Sequence, residues 1–272
     1  MKNQRHFKPR AGNNDRGPGP ARSETSWDQV AGWYDKLVGE RGSDYHENVI
    51  LPGALRLLAP NRGEKILDVG CGQGVFSREL ARAGAAVTGI DAAPGLIKAA
   101  QGRSAGIKYQ VADAADLRFF SDGSFDAASC IMALQNMEPL GRIVAEMARV
   151  LKKEGRLLLV MSHPCFRIPR QSGWGIDEQR KLQYRRIDSY LTPQKIPIKM
   201  HPGADPNLLT WTFHRPLSDY FAALGERGLA VTRLEEWSSH RQSKPGSSSR
   251  MENRARAEIP MFLSLLAEKM VK

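Results

Sequence analysis

Long apolar runs are missing from this sequence. No stretch approaches the roughly 20 consecutive apolar residues that a membrane-spanning helix needs, so the sequence gives no reason to expect a membrane protein. The opening segment, MKNQRHFKPRAGNNDRGPGPARSE, has no apolar core and does not read as a secretory signal. Cysteine is scarce. Cys71, Cys130 and Cys165 lie far apart and form no Cys-x-x-Cys pair, which leaves no zinc or redox motif of that kind. A sparse, odd count suits a reducing cytoplasm better than a disulfide framework. No cluster of metal-ligating residues stands out, and no internal repeat is evident.

Acidic residues are also in deficit, 29 against 40 Lys and Arg for a net charge of +11. The imbalance is local. Residues 1–24 hold six basic side chains against two acidic, residues 165–215 nine against four, and residues 233–256 six against three, which leaves the remainder near neutrality. Such clusters can attract RNA or an anionic small molecule, or can be no more than a solvated surface.

What is present is an alternation of strands and helices. Residues 1–24, rich in Gly, Pro, Asn and Arg, read as a disordered basic tail, and residues 25–272 as one domain. Ser26 is placed to cap a helix carrying the stripe Trp27, Val30, Trp33, Tyr34 and Leu37, and a second helix is expected from Asn48 to Leu58. Strands are then expected at 65–71, 86–91, 107–113, 124–134 and 156–164, with helices at 74–84, 94–102 and 140–155 between them. This rhythm implies a doubly wound, Rossmann-like α/β fold, its sheet mostly parallel with helices on both faces. Residues 165–210, rich in Pro, Arg and Gln, break the rhythm and read as an insertion over the sheet's carboxyl edge. A helix at 217–227, a strand at 229–237, a polar loop at 238–256 and a strand at 259–269 complete the expectation.

The segment Ile66-Leu67-Asp68-Val69-Gly70-Cys71-Gly72-Gln73-Gly74 joins the first strand to the following helix. Alternating glycines there permit a tight turn and let a ligand approach the main chain. The dinucleotide spacing Gly-x-Gly-x-x-Gly fails, because Val75 or Ser77 stands where its third glycine belongs. Asp68, just before the turn, would repel a pyrophosphate but suits a cofactor with a cationic amino-acid end. Asp91 closes the second strand, where a carboxylate can accept from both ribose hydroxyls, and Asp113 closes the third, where it can receive an adenine amino group.

These motifs resemble the class I S-adenosylmethionine-dependent methyltransferase family over about residues 26–164, with the last helix and two strands agreeing in layout. LDVGCGQG looks like the family's first motif, GIDAAP like its ribose-binding motif, and VADAADLRF like its adenine-binding motif. FDAASCIMALQNM and ARVLKKEGRLLLV match the later part. The resemblance implies a seven-stranded sheet with a reversed final hairpin and S-adenosylmethionine as cofactor. It implies that Asp68 and the turn glycines Gly70, Gly72 and Gly74, Asp91 with Ala92, Asp113 with Ala114, and the peptide from Ala133 to Gln135 line the cofactor site.

Methyl transfer from a sulfonium is a direct displacement, so positioning matters most, and a base is needed only if the acceptor loses a proton. His163, ending the fifth strand, is the candidate base, with a turn-shaping histidine as the alternative. Candidates for the acceptor site are Tyr34, on a helix that covers the cofactor in similar enzymes, with Tyr45, His46, Trp174 and His201; Tyr184 is a further aromatic of the insertion. Leu134-Gln135-Asn136-Met137 stands where an Asn-Pro-Pro-Tyr motif would mark adenine amino-methylation. A small-molecule acceptor is the leading expectation. The alternatives are an RNA or protein methyltransferase using the basic segments, a nicotinamide dehydrogenase, and a non-catalytic binding module.

Overall fold

The computed structural model describes residues 27–199 and 208–271; the expected tail and His201 lie outside these described residues. A 3-10 turn at Asp28–Val30 leads into α1 (Ala31–Val38), and a π-turn at His46–Ile50 into α2 (Leu51–Leu58). The alternating core follows as β1 (Lys65–Val69), α3 (Val75–Arg82), β2 (Ala86–Asp91), α4 (Pro94–Arg103), β3 (Lys108–Val111), β4 (Phe125–Ile131), α5 (Leu140–Val150) and β5 (Leu151–Ser162). Four short strands come next, β6 (Ser172–Asp177), β7 (Leu182–Ile187), β8 (Gln194–Lys199) and β9 (Leu209–His214). The chain closes with α6 (Leu217–Gly225), β10 (Leu229–Trp237), α7 (Ser249–Glu258) and β11 (Phe262–Lys269).

Seven strands form one sheet in the order β10-β11-β5-β4-β1-β2-β3. β11 runs antiparallel to both β5 and β10, and the other pairings are parallel. β1 pairs with β2 on one side and β4 on the other, so the order reverses there and a crevice opens beyond the carboxyl ends of these strands. Both faces are covered, which explains why Ile66, Leu67 and Val69, consecutive but for Asp68, are all buried in β1. Leu67 and Val69 join Ile143, Met147 and Leu224 on one face; Ile66 joins Leu58, Phe76 and Leu80 on the other. No helix among the described residues is long and apolar enough to cross a membrane.

Three expected boundaries shift. The helix expected to reach residue 155 stops at Val150, because Leu151 turns extended (φ −73°, ψ 138°) and pairs with Phe125 at the start of β5. The loop expected at 238–256 contains most of α7, a helix with only Ala255 buried and therefore no apolar stripe to read. The third strand ends at Val111, which leaves Asp113 in the loop beyond it. The segment between β5 and α6 folds as two antiparallel hairpins, β6–β7 and β8–β9, each outside the main sheet.

Candidate cofactor and acceptor site

The turn after β1 is built on left-handed backbone at Gly70 (φ 68°), Gly72 (φ 56°) and Gly74 (φ 80°). Space adds to the backbone requirement. A β-carbon on Gly70 would stand 2.6 Å from Ala133 Cβ and from Met137 Cε, and one on Gly74 would stand 2.4 Å from Tyr109 Oη. The turn is fastened to β2: Cys71 N donates to the Ile90 carbonyl and Gly72 N to Asp91 Oδ2, each at 2.9 Å. Asp91 Oδ1 accepts from Ala93 N, also at 2.9 Å. Burial raises the Asp91 pKa, against the lowering effect of these backbone donors.

Asp91 and Asp113 line one cleft of about 400 Å³ together with Gly70, Ala92, Ala114 and Glu138. Asp113 is held by the Ala115 amide on Oδ1 at 2.9 Å, the usual local bond of an Asx turn. Each carboxylate oxygen of Asp91 accepts one backbone proton, and an ionised carboxylate has about four acceptor positions in all. The acceptor-only character of three carboxylates around the cleft suits ribose hydroxyls, an adenine amino group and a cationic end. It opposes a pyrophosphate.

Asp68 does not share this position. It is 1% exposed, and its two oxygens accept from Ser77 Oγ at 2.6 Å and Ser129 Oγ at 2.9 Å. Burial pushes its pKa up to about 6 against those two hydroxyls. Asp68 therefore ties β1 to α3 and β4 beneath the glycine turn, and any effect on a ligand passes through that turn. Ala133 likewise packs under Gly70, and Gln135 lies in a neighbouring chamber.

The acceptor-site candidates divide. Tyr34 stands over the turn, its Cε1 3.8 Å from where a Gly72 β-carbon would be, and its ring meets Trp27 edge-on at 5.4 Å. Burial first, then the Asp91 charge, push the Tyr34 pKa up to about 12, so it stays protonated near neutral pH. Tyr45 faces elsewhere: its hydroxyl bonds Ser239 Oγ at 3.1 Å and its ring contacts Phe262 and His240. His46 is tied through Nδ1 to Ser43 Oγ at 2.8 Å. Trp174 is 39% exposed and packs between the guanidinium groups of Arg167 and Arg185 on the first hairpin.

His163 is not placed to act as a base. It is 1% exposed; Nδ1 accepts from Cys165 N at 3.2 Å and Nε2 donates to Glu236 Oε1 at 2.7 Å. Both ring nitrogens are committed, so the ring shapes the turn into Pro164. Burial lowers its pKa, with Glu236 acting in the opposite direction.

A second chamber of about 230 Å³ adjoins the cleft and shares Trp27, Asn136 and Phe213 with it. Its walls include Arg167, Gln135, His214, Arg215 and Tyr220. β9 supplies much of both spaces. Trp211 and Phe213 border the cleft, while Thr210, Thr212 and His214 are buried along the chamber. Sequence reading missed these residues. Their signal was the strict alternation of LTWTFH (209–214), which marks a two-faced strand at the end of the expected insertion, in a stretch given no element of its own.

Comparison with known proteins agrees with the geometry. Residues 67–159 match the family model described as a methyltransferase domain. A ubiquinone biosynthesis O-methyltransferase of Xanthomonas oryzae pv. oryzae is 42% identical over 101 residues, 36% of this chain and 42% of that protein. A demethylmenaquinone methyltransferase of Tropheryma whipplei is 40% identical over 115 residues, 41% of this chain and 47% of that protein. The match thus spans less than half the length of these curated relatives. The crystal structure of an S-adenosylmethionine-dependent methyltransferase from Mesorhizobium loti superposes with a TM-score of 0.63 at 28% identity, covering 80% of this chain and 99% of that one. Residues 67–159 are thus those of a methyltransferase domain, and the chain shares its fold with S-adenosylmethionine-dependent methyltransferases.

Proposed function

We propose that the protein transfers a methyl group from S-adenosylmethionine to a small molecule seated in the second chamber. The observation that carries this reading is the junction of the two spaces: Trp27, Asn136 and Phe213 wall both the carboxylate-lined cleft and the chamber beside it. The relatives named for ubiquinone biosynthesis and for demethylmenaquinone support an acceptor of small-molecule size. So does the size of the chamber, about 230 Å³.

The roles follow from position. Asp91 would hold the ribose hydroxyls, and Asp113 with Ala114 the adenine, while the exposed main chain at Gly70 receives the amino-acid end. Bound in this way, S-adenosylmethionine supplies a methyl group activated by its sulfonium. Tyr34 and Trp27 cover the turn and exclude water. Asn136 and Phe213, standing between the two spaces, would align the acceptor atom, and alignment of this kind is the main source of rate in a direct displacement. His214 is placed to take a proton where the acceptor is a hydroxyl. Its Nε2 donates to the Tyr190 carbonyl at 2.6 Å, which leaves Nδ1 without that bond.

The test is transfer of labelled methyl from S-adenosylmethionine into fractionated cell extract, with label counted separately in small molecules, RNA and protein. Label in the small-molecule fraction is expected. Label confined to RNA or protein would overturn the acceptor assignment, and no cofactor binding by calorimetry would overturn the reading as a whole.

A further inference from the structure

The second chamber carries positive charge that the protein does not neutralise. Arg215 is 7% exposed; its Nη2 donates to the Met137 carbonyl at 2.7 Å, and its Nη1 is buried without a hydrogen-bond acceptor. Arg167, on the loop leaving β5, donates from Nε and Nη2 only to the neutral carbonyls of Pro260 and Ile259, at 3.2 and 3.3 Å. Neither arginine forms an ion pair with a carboxylate among the described residues. The contrast lies within the same chain: Arg103, Arg149 and Arg156, each about a quarter exposed, all pair with carboxylates.

Desolvating a cation without a counter-charge is unfavourable. Burial, and then the neighbouring Arg185, bring the pKa of Arg167 down to about 10. An anion entering the chamber would relieve this. A planar guanidinium presents paired donors that match a carboxylate, which it holds more specifically than an ammonium does. The other walls select for shape. Trp27, Phe213 and Tyr220 offer aromatic surface, and the guanidinium of Arg215 already lies over the Phe213 ring at 5.3 Å. At about 230 Å³ the chamber has room for one or two fused rings but not for a polymer.

We infer that the methyl acceptor is a small aromatic acid whose carboxylate is held by Arg167 and Arg215, with its ring against Phe213. The inference rests on the proposed small-molecule methyl transfer, because it names the class of molecule the same chamber takes. Gln135 Oε1, buried in the chamber wall without a donor, is a second point of recognition, open to a hydroxyl or N–H on the acid's ring.

The experiment compares 2-naphthoate with its neutral amide, 2-naphthamide, by isothermal titration into the full chain saturated with S-adenosylhomocysteine. The acid is expected to bind at least about 10-fold more tightly, the range for one charge-assisted interaction. In Arg167→Gln, confirmed folded by its melting curve, that preference should disappear while the amide binds as before. Equal affinities, binding of neither compound, or a preference that survives in both Arg167→Gln and Arg215→Gln would each overturn the inference. S-adenosylhomocysteine is titrated alone as well. Its failure to bind would count against the methyltransferase reading, whereas the acid-over-amide preference of the unliganded protein is read independently of it.

Discussion

Nε2 of His163, the residue just beyond β5, lies 2.7 Å from Oε1 of Glu236, reaching across β11 to β10. With Nδ1 accepting from Cys165 N, the neutral ring is the form that satisfies both bonds. Its folded pKa is lowered from the ordinary 6.5, so its contribution to stability is complete above about pH 6.5 and is lost as the pH falls toward the folded value. His46, lowered by burial, acts in the same direction. The melting temperature should therefore fall between pH 7 and pH 5, with a shallower fall in His163→Gln. Superimposable melting curves across that range would remove the assignment. The pH profile of methyl transfer in His163→Gln should keep its shape, as expected of a positioning residue.

Asp68 has the opposite sign. Its folded pKa is raised from 3.8 to about 6, so the favourable protonation is present at low pH and is lost as the pH rises through 6. Above that pH the fold carries a buried carboxylate. The two units correspond to at most about 3 kcal/mol. Asp68→Asn, measured against wild type by urea unfolding, should look relatively more stable at pH 8 than at pH 5. A difference independent of pH would show that the carboxyl titrates normally.

Asp91→Ala removes an acceptor from the cleft and leaves the Gly72 and Ala93 amides unpaired. Affinity for S-adenosylhomocysteine should fall at least about 100-fold if two charge-assisted bonds to the ribose are lost. Calorimetry on the folded variant decides this, and an unchanged Kd would falsify the ribose assignment.

Gly70→Ala and Gly72→Ala separate backbone strain from crowding. Both force a side chain into left-handed backbone, at about 1–2 kcal/mol. Only at Gly70 does the new methyl meet neighbours at 2.6 Å; at Gly72 the nearest atom is 3.8 Å away. Gly70→Ala should be the less stable of the two in chemical denaturation. Equal losses would mean that Ala133 and Met137 yield without cost.

The sequence determined the parts of this protein that depend on local pattern. Short, mostly apolar segments near glycine turns placed the inner parallel strands, because a strand covered on both faces shows little polar alternation. The glycines at 70, 72 and 74, with Asp91 at a strand end, marked the turn after β1 because left-handed backbone and a strand-end carboxylate are both local requirements. Tertiary structure decided the rest. Asp68, legible as an acid beside the turn, became a buried brace because Ser77 and Ser129 arrive from two other elements. His163, Tyr45 and His46 were drawn into packing and hydrogen bonds by partners distant in sequence or in an irregular turn. The second chamber, with the unpaired charges of Arg167 and Arg215, exists only because β9 and the Arg215 that follows it fold back against Gln135 and Met137. No periodicity along one segment encodes a wall assembled from several.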